Sequence, residues 1–114
     1  MPFTAQLSGD VIVVKVHAQR LDAYLAPEFK ARLVHLVQRG HERIVVDMAA
    51  LEFIDSSGLG ALSAGLKALG GHGEIVLCGI TPRLLRLFQL THVDKLFHIV
   101  DSVEEAVSGL VTSA

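Results

Sequence analysis

Three short apolar runs limit the folds open to this chain: VIVVKVH at 11–17, IVV at 44–46 and EIVLC at 74–78. They are rich in β-branched residues and read as strands, the first as a central one. Two helical segments lie between them. Pro27 suits the first turn of a helix, and Phe29, Leu33, Leu36 and Val37 recur at helical spacing up to Gly40. Leu59, Leu62, Leu66 and Leu69 form a second stripe, ended by Gly70-Gly71. Strands that alternate with helices imply a mainly parallel sheet.

The flanking segments extend the pattern. Gly9-Asp10 is a turn signal joining Phe3–Ser8 to the first run, so this hairpin contributes an antiparallel edge. Thr81-Pro82 supplies a capping hydroxyl followed by proline at the first helical position, and Leu84, Leu85 and Phe88 give that helix its inner face. Phe97–Val100 reads as a last strand. Ser102 and Glu105 have capping-box spacing, and Val103, Val107, Leu110 and Val111 follow as an amphipathic helix. The expected order is strand, strand, helix, strand, helix, strand, helix, strand, helix. The chain has 114 residues, 51% of them hydrophobic, which is enough for one domain over 1–114 with a real core.

Charge and cysteine content narrow the function. The formal net charge is -2 and no basic run stands out, so no nucleic-acid footprint is expected. The lone Cys78 excludes an intramolecular disulfide and reads as a small buried residue. No window approaches the ~18 apolar residues of a membrane span. MPFTAQLSGD has neither a charged start nor a long apolar stretch, so no signal peptide is expected and a cytoplasmic location is. A monomer is the default.

Few residues suggest catalysis. His17, His35, His41, His72, His92 and His98 share no short metal-binding spacing, and no His-Cys cluster exists. The G-x-S-x-G elbow of a hydrolase is absent. Gly58-Leu59-Gly60 lacks the third glycine of a dinucleotide fingerprint, since Ser63 stands there, and lacks the lysine of a phosphate loop. No cofactor or metal is expected.

The segment LEFIDSSGLG at 51–60 is different. Asp55, Ser56 and Ser57 are all good helix-capping residues, and a cap needs only one. A surplus hydroxyl is left at a helix N-terminus, whose partial positive charge and free N–H groups tolerate a phosphate. Simple capping and a phosphorylation switch both fit. The neighbouring Phe53, Leu59 and Leu62 are expected in the core.

FIDSSGLGAL closely resembles the signature of anti-sigma factor antagonists, bacterial members of the STAS domain family. GEIVLCGITPRLLRLFQLTHVDKLFHI at 73–99 and LDAYLAPEFKARL at 21–33 resemble further family segments. The resemblance implies an α/β fold, a single STAS domain with a small mixed sheet and helices packed mainly on one side. It implies that the unphosphorylated protein binds an anti-sigma factor serine kinase of the histidine-kinase-like ATPase fold and frees its sigma factor. Ser56, directly after the aspartate, would be the phosphorylation site, reset by a metal-dependent serine phosphatase. Asp22, Asp55, Ser56, Ser57, Gly58 and Gly60 would form the partner surface, with the two glycines leaving room for the partner.

One feature departs from the pattern. Family members commonly carry Gly-Glu ahead of the pair matching Leu21-Asp22, and here Gln19-Arg20 stands instead. The reversed charge implies a kinase with its own charge complement and a target that need not be a sigma factor. Two other classes compete: a non-switching STAS scaffold subunit of a lipid-transport ABC complex, and a nucleotide-binding domain or enzyme using the glycines at 58–60.

Overall fold

The computed structural model of the chain describes residues 1–112. In chain order the elements are β1 (Phe3–Ser8), β2 (Val11–Val16), β3 (Arg20–Leu21), α1 (Ala26–Gln38), β4 (Arg43–Asp47) and β5 (Phe53–Ile54). Then come α2 (Ser56–Leu69), β6 (Glu74–Cys78), α3 (Pro82–Leu90), a 3₁₀ turn at Val93–Lys95, β7 (His98–Val100) and α4 (Val103–Thr112). The main sheet has five strands in the order β1-β2-β4-β6-β7. Only the β1–β2 hairpin is antiparallel, and β2, β4, β6 and β7 run parallel.

Period-2 alternation sorts the strand side chains onto two buried faces. Ile12, Val14, Ile44, Val46, Ile75 and Leu77 pack against Phe29 and Leu33 of α1, Leu62 of α2, and Leu84 and Phe88 of α3. Val11, Val45 and Val76 pack on the other side against Ala106 and Leu110 of α4. Three helices therefore cover one face and one covers the other. Burial on both faces explains why the central strands are continuous β-branched runs rather than alternating ones.

The helix ends follow the expected chemistry. At the end of α1, Gly40 has φ +98°, and the Gly40 and His41 N–H groups donate to Val37 O and Leu36 O at 3.0 and 3.1 Å, a Schellman motif. Thr81 Oγ1 accepts from Leu84 N at the start of α3. Ser102 Oγ accepts from Glu105 N at 3.1 Å, but the Glu105 carboxylate reaches Asp101 N rather than Ser102 N, so the box is offset by one residue. On α3, Leu85 and Leu87 are both half-buried, and Leu87 rather than Leu85 packs on the core, which corrects the expected inner face. The Val111 side chain lies outside the described residues. Among the described residues no helix is long and apolar enough to cross a membrane.

Cys78 is fully buried at the end of β6, with its thiol 3.7 Å from the Val46 carbonyl oxygen that accepts from it. Burial, and then the charges of Asp47 and Glu104, push the thiol up to about 12. Cys78 should thus be inert while the protein is folded. Near neutral pH, a disulfide-exchange reagent should label the native protein about a thousandfold more slowly than the urea-unfolded chain, because labelling must wait for global opening. Labelling of the native protein within minutes would contradict this.

Candidate functional site

Two strands that the apolar pattern does not announce build the site. After β4 the chain leaves the sheet, buries Met48 and Leu51, and returns as β5 alongside β3. The pair is parallel, with Arg20 opposite Phe53 and Leu21 opposite Ile54. Gln19 O accepts from both Glu52 N and Phe53 N at 2.8 and 3.0 Å, and Leu21 O accepts from Asp55 N at 3.3 Å. Leu21 and Ile54 point into the core. Alternation then turns Arg20, Asp22, Phe53 and Asp55 to the outer face, one residue before α2 begins.

Gly58 lets α2 lie directly on this pair. A Cβ there would stand 2.5 Å from Leu21 O and 2.6 Å from Ile54 Cγ1. The space beside Gly58 is therefore filled from inside the protein, and the glycine is buried. This corrects the expectation that both glycines leave room for a partner. Gly60 alone fits it: it is exposed, with nothing within 4 Å of its Cβ position.

The cap of α2 is Asp55, whose carboxylate accepts from Ser57 N at 2.9 Å and Gly58 N at 3.2 Å. Ser57 therefore contributes its N–H to the cap, and its hydroxyl is as dispensable for the fold as that of Ser56. Both serines are exposed, and among the described residues neither hydroxyl has a hydrogen-bond partner in the chain. Asp22 is also occupied. Its Oδ1 accepts from Tyr24 N at 3.1 Å, and its carbonyl accepts from Leu25 N and Ala26 N, which starts α1. Each aspartate shapes a turn, and each directly follows a strand of the β3–β5 pair.

Two exposed aromatic side chains of this corner, Phe53 and Tyr24, escape the sequence patterns. Phe53 is 38% exposed, not core as expected, while Leu62 is buried and Leu59 packs on the core. The Arg20 guanidinium lies 4.1 Å from the Phe53 ring centroid, and its Nε is 3.5 Å from Asp22 Oδ2. Tyr24, which follows Asp22 closely, is 93% exposed. Exposed Tyr, Phe and Arg are the residue types that anchor protein interfaces. Between the first turns of α1 and α2 runs a shallow groove of about 400 Å³, lined by Ala23, Pro27, Lys30, Ser57 and Gly60 among others.

Among the described residues no group of three or more His, Cys, Asp or Glu could hold a metal ion. His17 Nε2 is 2.8 Å from Thr4 Oγ1 on the hairpin, and His98 pairs with Glu74 at the far edge of the sheet.

Comparison with known proteins gives this geometry a family. The STAS domain model matches residues 3–106, so the chain belongs to the STAS domain family. It is similar to the anti-sigma-B factor antagonist of Staphylococcus epidermidis, 34% identical over 96 residues that cover 83% of this chain and 88% of the relative. An anti-sigma factor antagonist from Mycobacterium paratuberculosis superimposes with a TM-score of 0.85, at 26% identity over 95% of this chain and 92% of that one. The anti-sigma factor antagonist SpoIIAA in its unphosphorylated form shares the fold with a TM-score of 0.74, at 21% identity over 98% of this chain and 99% of that one.

The two glycines of the motif should separate in mutagenesis. Gly58→Ala drives a methyl into the β3 backbone and should lower stability by about 2–3 kcal/mol. Gly60→Ala, in open helical space, should be neutral or stabilising by up to ~1 kcal/mol. Urea denaturation of both variants measures this. Equal stabilities would remove the structural distinction between them.

Proposed function

We propose that this chain is an anti-sigma factor antagonist that works by partner switching. In the unphosphorylated state it binds an anti-sigma factor serine kinase of the histidine-kinase-like ATPase fold, which releases a sigma factor or another target. The kinase phosphorylates Ser56 and ends the complex, and a metal-dependent serine phosphatase resets it. The protein acts by binding and carries out no catalysis of its own. Its partner surface comprises Asp22, Asp55, Ser56, Ser57 and Gly60, with Gly58 shaping it from beneath.

The observation that carries this reading is the Ser56 hydroxyl. It is exposed, unused by the fold, and placed at the first residue of a helix already capped by Asp55. In a non-switching scaffold that hydroxyl would have no task. The names of the staphylococcal and mycobacterial relatives support the same class. The fold also accommodates a phosphate, since SpoIIAA of Bacillus shares it in its phosphorylated form with a TM-score of 0.71.

The switch follows from electrostatics. A phosphate adds about -1.5 to -2 charges to a surface shaped for a hydroxyl and already flanked by Asp22 and Asp55. Burying it unpaired costs at least several kcal/mol, roughly a thousandfold or more in affinity. The fold need not change.

With ATP and the cognate kinase, the wild type and Ser57→Ala should each gain one phosphate by mass, and Ser56→Ala none. Equal labelling of Ser56→Ala would overturn the site. Ser56→Asp should bind the kinase at least ~10-fold more weakly in calorimetry. Affinity equal to wild type would overturn the charge mechanism.

A further inference from the structure

Arg20 is the one basic residue on the outer face of the β3–β5 pair, and it is held there by two contacts. Its guanidinium covers the Phe53 ring at 4.1 Å, and its Nε faces Asp22 Oδ2 at 3.5 Å. Neither contact is strong. The ion pair joins side chains that are 62% and 30% exposed, and exposed pairs of this kind are worth roughly 0–1 kcal/mol. An exposed cation–π contact adds about 0.5–1 kcal/mol. The side chain is thus parked rather than locked. The register places it beside the strand that runs through Asp55 into Ser56.

We propose that Arg20 is the counter-ion of the phosphate carried by Ser56, and that phosphorylation draws its guanidinium away from Asp22 and off the Phe53 ring. The proposal rests on Ser56 as the acceptor. A guanidinium binds phosphate through parallel N–H···O bonds that a single Nε contact to a carboxylate cannot match. The dianion also brings more charge than Asp22. Transfer of Arg20 would take the cation from Asp22 Oδ2, leaving that carboxylate only its bond from Tyr24 N, and would leave the Phe53 ring bare. One modification would thus rewrite three side chains of the partner surface while the backbone stays in place.

The chain itself provides the test, without a kinase. Phosphoserine is encoded at position 56 by genetic-code expansion, and the second phosphate ionisation is followed by ³¹P NMR. Asp22, Asp55 and Glu52 oppose the dianion, while the α2 N–H groups and Lys30 across the groove favour it. All are common to wild type and Arg20→Gln, so the difference between the two isolates Arg20. The ionisation should fall at least about 0.5 pH unit lower with Arg20 present, and the gap should shrink at high salt. Arg39→Gln, at the far end of α1, should match wild type. The Arg20 Nε–H and Phe53 ring proton resonances should both move on phosphorylation.

Identical ionisation in wild type and Arg20→Gln, or an unmoved Arg20 resonance, overturns the proposal. That outcome leaves Ser56 as acceptor untouched, because labelling by the kinase is a separate measurement. Conversely, labelling at another residue would remove the acceptor without altering this titration.

Discussion

The approach of α2 to the β3 backbone sets the geometry of this end of the molecule. A two-residue parallel pair has too few hydrogen bonds to stand alone. It persists because Leu21 and Ile54 are buried in the core, each worth about 1.5–3 kcal/mol. It also persists because Gly58 brings the first turn of α2 onto Leu21 O without a side chain between them. The loop carrying Asp22 and the turn carrying Asp55 and Ser56 are thereby parts of one rigid corner. Any residue other than glycine at 58 would push the helix away and separate the two aspartates. The backbone that carries these surface residues is positioned by the core, through Leu21, Ile54 and Gly58.

Within that corner the polar groups divide sharply. Asp55 and Asp22 spend their carboxylates on backbone N–H groups, which is the ordinary work of turns and caps. The two serine hydroxyls add nothing to that work. A helix start that uses aspartate as its cap frees every following hydroxyl for other chemistry. The negative charge of the cap also complements the helix dipole, so the hydroxyls sit where a further anion is tolerated by the helix but opposed by the nearby carboxylates.

Much of this was legible in the sequence, and the gaps have physical causes. The five main strands and four helices follow from β-branched runs, apolar stripes and terminal signals at Pro27, Gly40, Gly70 and Thr81, because both faces of the sheet must be buried. The β3–β5 pair was not legible: two residues are too few for alternation to register, and their pairing is set by tertiary contact. The same cause misplaced Phe53, whose apolar character suggests burial although its strand turns it outward under Arg20. Gly58 and Gly60 look equivalent in the motif, and only the distance to Leu21 O separates them. By residue type Asp55, Ser56 or Ser57 could each cap α2, and the structure gives the cap to Asp55, one carboxylate oxygen of which reaches both N–H groups. The Asp-Ser-Ser segment itself was plain, because three capping residues in a row exceed what a helix start requires.

Magnitudes explain why a modification here can act on partners and spare the fold. An anion at a helix N-terminus gains roughly 0.3–1 kcal/mol, and repulsion between exposed charges fades over a Debye length of about 8 Å. Both are small beside the ~5–15 kcal/mol that holds a domain together. In a dry interface the same charge is neither screened nor hydrated, and it costs several kcal/mol unless a cation travels with it. On the proposed reading, position 20 decides whether one does. A glutamate there would add a third carboxylate beside a phosphate on Ser56 and strengthen its exclusion from an acidic surface. With Arg20 as its counter-ion the phosphorylated state would carry a softer field, while in the bare chain Arg20 presents a cation stacked on an aromatic ring. On the proposed reading, a partner fitted to this chain would offer negative or π-rich chemistry opposite residue 20, and one fitted to a glutamate there would meet a like charge.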